Sequence, residues 1–193
     1  MVGAFTVGTM LGTMSSTVFD ARVLDHSLRI AVVFAFAVTL PSISHGQKIQ
    51  FKPCADHPEA KDVEITSAFA KDLEVGKTVT VDVTVVARKQ FNSDPKLNLA
   101  ITTSNNVKLP CMFNVGSCTY KMCNAYYQME KFLASVWDNK CPIEPKEYKK
   151  SISYFIPALA RVAIGDGRLH FRGEMTNGGK LVGCQEFDVN IKV

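Results

Sequence analysis

Histidine, tryptophan and clustered acids are scarce in this sequence, and their scarcity removes most reaction chemistry before any pattern is read. Four histidines and one tryptophan occur in 193 residues. His26 and His45 precede residue 47, while His57 sits in "CADHPEAKD" and His170 lies between Arg168 and Arg172 in an alternating segment. Neither His57 nor His170 belongs to an H-E-x-x-H motif or to a Cys/His cluster with zinc spacing, so no metal and no other cofactor is expected. "VGSC" at 115–118 is not a G-x-S-x-G elbow, and "IGDG" at 164–167 reads as a turn before a strand rather than a phosphate loop. The acid pairs Glu144 with Glu147 and Asp62 with Glu64 have no neighbour that marks one member as a raised-pKa acid. Together these absences argue against an enzyme.

Other absences bound location and partners. The net charge is +4, spread along the chain with one cluster at "PKEYKK", Lys146, Lys149 and Lys150. A long basic stripe is missing, so a nucleic-acid partner is not expected. No N-x-S/T sequon occurs, which excludes N-glycosylation. The apolar run Ile30–Leu40 falls well short of the roughly 20 residues that span a bilayer. With Arg29 before it and Ser44 and Gly46 after it in signal-peptidase positions, it reads as a secretory signal cut before Gln47. Residues 1–46 are therefore assigned to an N-terminal extension and signal peptide, with no function given to 1–27, and 47–193 to one domain. Removing 1–46 takes away Arg22, Arg29, Asp20 and Asp25 and leaves the charge at +4.

What the chain does have is six cysteines, all beyond residue 46: Cys54, Cys111, Cys118, Cys123, Cys141 and Cys184. An even count behind a secretory signal predicts three disulfides in an oxidising compartment, extracellular or endolysosomal, and spacing alone leaves their pairing open. Cys118 and Cys123 lack the C-x-x-C spacing of a redox pair.

Period-two alternation dominates residues 47–193. In "KTVTVDVTVVARK", Val79, Val81, Val83 and Val85 share one face, and Thr78, Thr80, Asp82 and Thr84 the other. β-branched residues suit such a half-buried strand. The pattern recurs at Leu97, Leu99 and Ile101, at Leu169, Phe171 and Met175, and at Phe187, Val189, Ile191 and Val193, with shorter pieces at 49–51, 63–65 and 151–156. "TNGGK" at 176–180 supplies a hairpin turn. About seven short strands predict an antiparallel β-sandwich or barrel. One segment breaks the period: Met122, Tyr126, Met129, Leu133 and Val136 form the stripe of a single amphipathic helix of about four turns. Tyr127, Phe132 and Trp137 beside it either pack the helix onto the sheets or cover an apolar cavity.

"IQFKPCAD", "LPCMFNVGSCTYKMC", "CPIEPKEYKKSISYFIPA" and "GGKLVGCQEFDVNIKV", in that order, resemble the ganglioside-activator group of the ML family of lipid-recognition domains. The resemblance spans nearly all of 47–193. It implies an immunoglobulin-like β-sandwich whose sheets part to hold acyl chains without catalysis. It also implies bridges Cys54–Cys184 and Cys111–Cys118, with Cys123 and Cys141 forming the third. Two departures stand out: the two further cysteines that the activator carries after "CPIEP" are missing, and "ALARVAIGDG" lacks the tryptophan of the activator's lip loop, leaving Trp137 at the helix end as an alternative membrane contact.

The expected cavity wall comprises Val81, Val83, Val85, Leu99, Ile101, Phe113, Met129, Phe132, Leu133, Tyr154, Ile156, Phe171 and Met175. The expected function is to hold a glycosphingolipid, phospholipid or sterol and to present it to a hydrolase or another membrane. The expected partners are a lipid ligand, a membrane surface in transient contact, and a glycosidase. A lipid-recognition protein of innate immunity acting through a receptor is the competing expectation, and a filled sandwich serving in adhesion or inhibition is a third.

Overall fold

A computed structural model describes residues 46–193. The proposed signal peptide lies outside the described residues except for Gly46. Nine strands form two antiparallel sheets. The first holds β1 (Gly46–Ile49), β3 (Val63–Lys71), β4 (Thr78–Ala87) and β7 (Glu147–Phe155), in the order β1-β3-β4-β7. The second holds β2 (Lys52–Pro53), β5 (Lys96–Thr103), β6 (Thr119–Lys121), β8 (Arg168–Asn177) and β9 (Lys180–Asn190), in the order β2-β9-β8-β5-β6. Apolar residues from both sheets join one core cluster, which makes the fold an antiparallel β-sandwich.

The alternation in β4 holds throughout: Val79, Val83, Val85 and Ala87 are buried and Val81 is half-buried on the same face. Two bulges reverse the parity elsewhere. In β3 the register shifts between Ile65 and Ser67, so Val63 and Ile65 face inward before the shift and Ala68 and Ala70 after it. In β9 Met175 pairs with Gly183 but Thr176 with Leu181, so Val182 is the extra residue and its side chain joins the core. Each bulge re-aims a strand without breaking its ladder.

The sheets are tied along one edge. Beyond the end of β1, the backbone of Ile65 has no strand partner on that side, and the Gln185 side chain serves it twice. Ile65 N–H donates to Oε1 at 2.7 Å, and Nε2 donates to Ile65 O at 3.1 Å. Nearby, Asp62 N–H donates to Val182 O at 2.8 Å and Cys184 N–H to Ala60 O at 3.2 Å. A Cβ on Gly183 would lie 2.5 Å from Val63 O, so this close approach of two backbones requires glycine. The bridge Cys54–Cys184, spanning 130 residues of sequence, sits buried at the same edge. The other bridges are Cys111–Cys118 and Cys123–Cys141.

The helical content differs from the sequence expectation in two ways. The four-turn helix is shorter: α1 covers Gln128–Ala134, followed by a 3-10 turn at Ser135–Trp137. Met122 and Cys123 lie in a bend just after β6, Asn124 is left-handed at φ 52°, and Asp138 is left-handed at φ 59°, which bounds the segment on both sides. Tyr126, assigned to the apolar stripe, is 77% exposed. The second difference is α2, Ala160–Ile164, in a segment read as a loop, so the sandwich carries two short helical insertions rather than one. The hairpin at 176–180 is tight, with Gly178 and Gly179 at φ 60° and 78°, the pair of left-handed residues that such turns require.

Candidate functional site: the space between the sheets

Opposite the tied edge, β7 and β6 are bridged by the segment that carries α1. The inward rows here come from β4 (Val79, Val81), β7 (Ile152, Tyr154), β5 (Leu97, Leu99, Ile101) and β8 (Leu169, Phe171, Gly173, Met175). Val79, Ile101, Leu169 and Met175 are buried, but Val81, Leu99, Ile152, Tyr154, Ile156 and Phe171 are only half-buried. β4 is flanked by β3 and β7, and β8 by β9 and β5. The exposure that Val81 and Phe171 retain on their inward face therefore opens onto the space between the sheets.

Two features shape the inward face there. Gly173 sits mid-strand on the inward face, where an added Cβ would meet nothing closer than Leu97 Cδ1 at 3.5 Å and Gln185 O at 3.9 Å. Those are ordinary contact distances, so the site admits a Cβ without a clash, and a glycine inside a strand often marks a place where another backbone or molecule comes close. Beside it Phe171 stacks on Phe187, with centroids 4.9 Å apart and planes at 6°, and Phe187 meets Phe51 at 4.9 Å. These rings form a smooth aromatic wall.

α1 covers the open edge and is anchored by a buried acid. Glu130 is 4% exposed, and its carboxylate accepts N–H bonds from Lys121 at 3.1 Å, Tyr126 at 3.1 Å and Tyr127 at 3.2 Å. Burial pushes this carboxyl up, but the three backbone donors outweigh burial and hold it below the ordinary range. Met129 and Leu133 pack against the core, and Phe132 meets Tyr154 at 5.3 Å. Between α1 and β7 lies an open groove of about 550 Å³ whose lining includes Gln128, Lys131, Phe132, Ile152, Tyr154 and Phe155. Tyr154 thus belongs to both the groove and the inward face, and Phe132 meets it from the groove side. Another open groove, of about 470 Å³, lies over the first sheet near Lys48, Phe69 and Asp82.

Other polar groups at this edge are held in place. Tyr120 is buried, its hydroxyl donates to Gly116 O at 3.0 Å, and burial pushes its pKa up to about 12. Trp137 is buried, donates Nε1–H to Met122 O at 2.7 Å and packs edge-on against Tyr148. That places it in packing rather than at a membrane surface.

Of the residues expected to line a cavity, Val81, Val83, Val85, Leu99, Met129, Leu133, Tyr154, Ile156, Phe171 and Met175 belong to or pack on one cluster. Ile101 joins a neighbouring cluster through Leu99, Ile156 and Phe171, and Phe132 reaches the wall through Tyr154. Phe113 stands apart, fully exposed at the tip of the Cys111–Cys118 loop, because the turn there throws its side chain outward. Sequence reasoning left out Phe51, Phe187, Ile152, Gly173 and Gln185. Phe187 and Ile152 were within reach of the alternation already seen in their strands; Gly173 and Gln185 carry no apolar signal.

No family model and no curated protein matches this sequence. Among solved structures, the chain is similar to a Niemann-Pick type C2 protein from the Japanese carpenter ant, at 14% identity and a TM-score of 0.39, over 77% of this chain and 95% of that one.

Proposed function

We propose that the protein is a non-catalytic lipid carrier that holds acyl chains or a sterol between its sheets. One observation carries the reading: inward-facing apolar residues on central strands, Val81 and Phe171, remain only half-buried where a filled sandwich would bury them. Gly173 leaves the inward face without a side chain at the same level. The placement of perturbed acids supports leaving catalysis out. Asp56, Asp82, Asp138 and Asp166 are each held low by hydrogen bonding to a basic partner, Arg172, Lys71, Lys150 and Arg168 respectively, at exposed positions.

The finer reading is a secreted or endolysosomal protein that takes a glycosphingolipid, phospholipid or sterol from one membrane and presents it to a hydrolase such as a glycosidase or to another membrane. Each methylene transferred from water to an apolar wall gains about 0.8 kcal/mol, whereas a lipid leaving a bilayer starts from an apolar medium. Exchange between membrane and protein is then nearly balanced, as transfer requires. The test is uptake of a fluorescent lipid by Phe171→Asp and Leu99→Asp. Both variants should lose uptake; folded monomers that retain it in full would remove the inter-sheet space as the site.

A further inference from the structure

Residues 111–118 form a stapled hairpin with an unusual tip. Met112 and Val115 pair across it, each N–H donating to the other's carbonyl at 2.9 Å. The two residues between them, Phe113 and Asn114, are both left-handed, at φ 52° and 59°. Asparagine tolerates that conformation, whereas an aromatic side chain is a poor choice for it. The same phenylalanine is 100% exposed, flanked by Met112 at 54% and Val115 at 45%. An aromatic residue at a costly backbone position with no burial in return points to a role outside the fold.

The hairpin is also rigid. Cys111 and Cys118 bridge its base with Cα atoms 5.0 Å apart. Ser117 Oγ accepts the Ile101 N–H at 2.9 Å, and Gly116 O accepts the buried Tyr120 hydroxyl. The segment that carries it holds charge of one sign: no Asp or Glu occurs between Asp94 and Glu130, a stretch that contains Lys96, Lys108 and Lys121, and the acids that other strands bring near it, Asp166 beside Ser104 and Glu174 opposite Asn98, are each paired with an arginine. Lys96 pairs with Asp94, while Lys108 and Lys121 take part in none of the salt bridges among the described residues.

We propose that this hairpin is a membrane-docking wedge that inserts Phe113 into the interface of an anionic bilayer. The proposal rests on the lipid-carrier reading and adds the element that brings the carrier to its lipid source. A convex apolar tip on a segment that carries lysines and no acid of its own matches an anionic bilayer surface, where the ring enters the acyl boundary and the lysines meet headgroup phosphates. The staple means that little chain order is lost on insertion.

The test uses the purified, disulfide-bonded protein with phosphatidylcholine vesicles containing or lacking phosphatidylserine, alongside uptake of a monomeric fluorescent lipid without vesicles. Phe113→Asp should weaken partitioning onto the anionic vesicles about tenfold or more and leave monomeric uptake unchanged. Phe113→Trp should keep partitioning and give emission that shifts blue and is quenched by brominated acyl chains. Undiminished binding by Phe113→Asp, unquenched emission from Phe113→Trp, or equal binding to both vesicle types overturns the proposal. So does a Phe113-dependent complex with a protein in the absence of vesicle binding. A wild type that takes up monomeric lipid but ignores vesicles overturns the wedge alone; a wild type that takes up no lipid overturns the carrier reading beneath it.

Discussion

Gly173→Val separates an open cleft from a closed core. Glycine inside a strand costs about 0.5–1 kcal/mol relative to a residue with a side chain. The valine methyls would enter the space beside Leu97 and Gln185, where the nearest atom to a new Cβ is 3.5 Å away. Covering them with apolar wall adds about 1 kcal/mol, so Gly173→Val should gain about 1–2 kcal/mol in total. For a domain of this size that is a rise in Tm of about 3–6 °C. The same side chain takes the place of about two lipid methylenes, each worth about 0.8 kcal/mol, and so weakens lipid binding about tenfold. Urea unfolding followed by Trp137 emission reads the first effect, and titration with a fluorescent lipid reads the second. Loss of stability would mean that the site is already packed. A stabilised variant with wild-type affinity would mean that lipid does not pass Gly173.

Three further perturbations address the frame around the cleft. Glu130→Gln keeps one acceptor oxygen and turns an amide toward backbone N–H donors, so unfolding should cost about 2–3 kcal/mol less at neutral pH. Because the Glu130 carboxyl is held below its ordinary value of 4.5, its contribution is complete above that value and is lost as pH falls through the lower folded value. The wild-type advantage measured by denaturation should therefore stay flat down to about pH 5 and shrink below about pH 4; an advantage that already fades at pH 6 would contradict the assignment. Trp137→Phe removes the donor to Met122 O and should cost about 1–2 kcal/mol with lipid uptake unchanged. Replacing Cys54 and Cys184 together by serine should cost about 5 kcal/mol in the chain-entropy view, and unfolding of the oxidised variant measures it directly.

The strands were legible because the rule that exposes them is local. A half-buried strand alternates whatever it packs against, and β4 shows this from Val79 to Val85. The bulges at Thr66 and Val182 were not legible, since one extra residue looks like an ordinary interruption of the period. The helix was over-extended because periodicity sees Met122 and Tyr126 as spaced correctly but does not see Asn124 turning left-handed between them. α2 was missed because a five-residue helix is too short to show a period and is bounded by Pro157 and Gly165, which read as loop. The same alternation placed most of the expected wall residues on inward faces, apart from Phe113: a hydrophobic residue in a disulfide loop suggests burial, while its position at a turn tip decides otherwise. Gln185 and Glu130 were invisible to hydrophobic patterning because their role is to satisfy backbone groups from inside.

The sandwich tied along the β3–β9 edge and covered by α1 along the other makes a specific claim about its content. Organic extraction of the purified protein, followed by mass spectrometry, tests it most directly. The carrier reading predicts a lipid released in near-stoichiometric amount, or its uptake when a lipid-free preparation meets a fluorescent analogue. A protein that yields no lipid and takes up none would contradict the reading and leave a filled β-sandwich in its place.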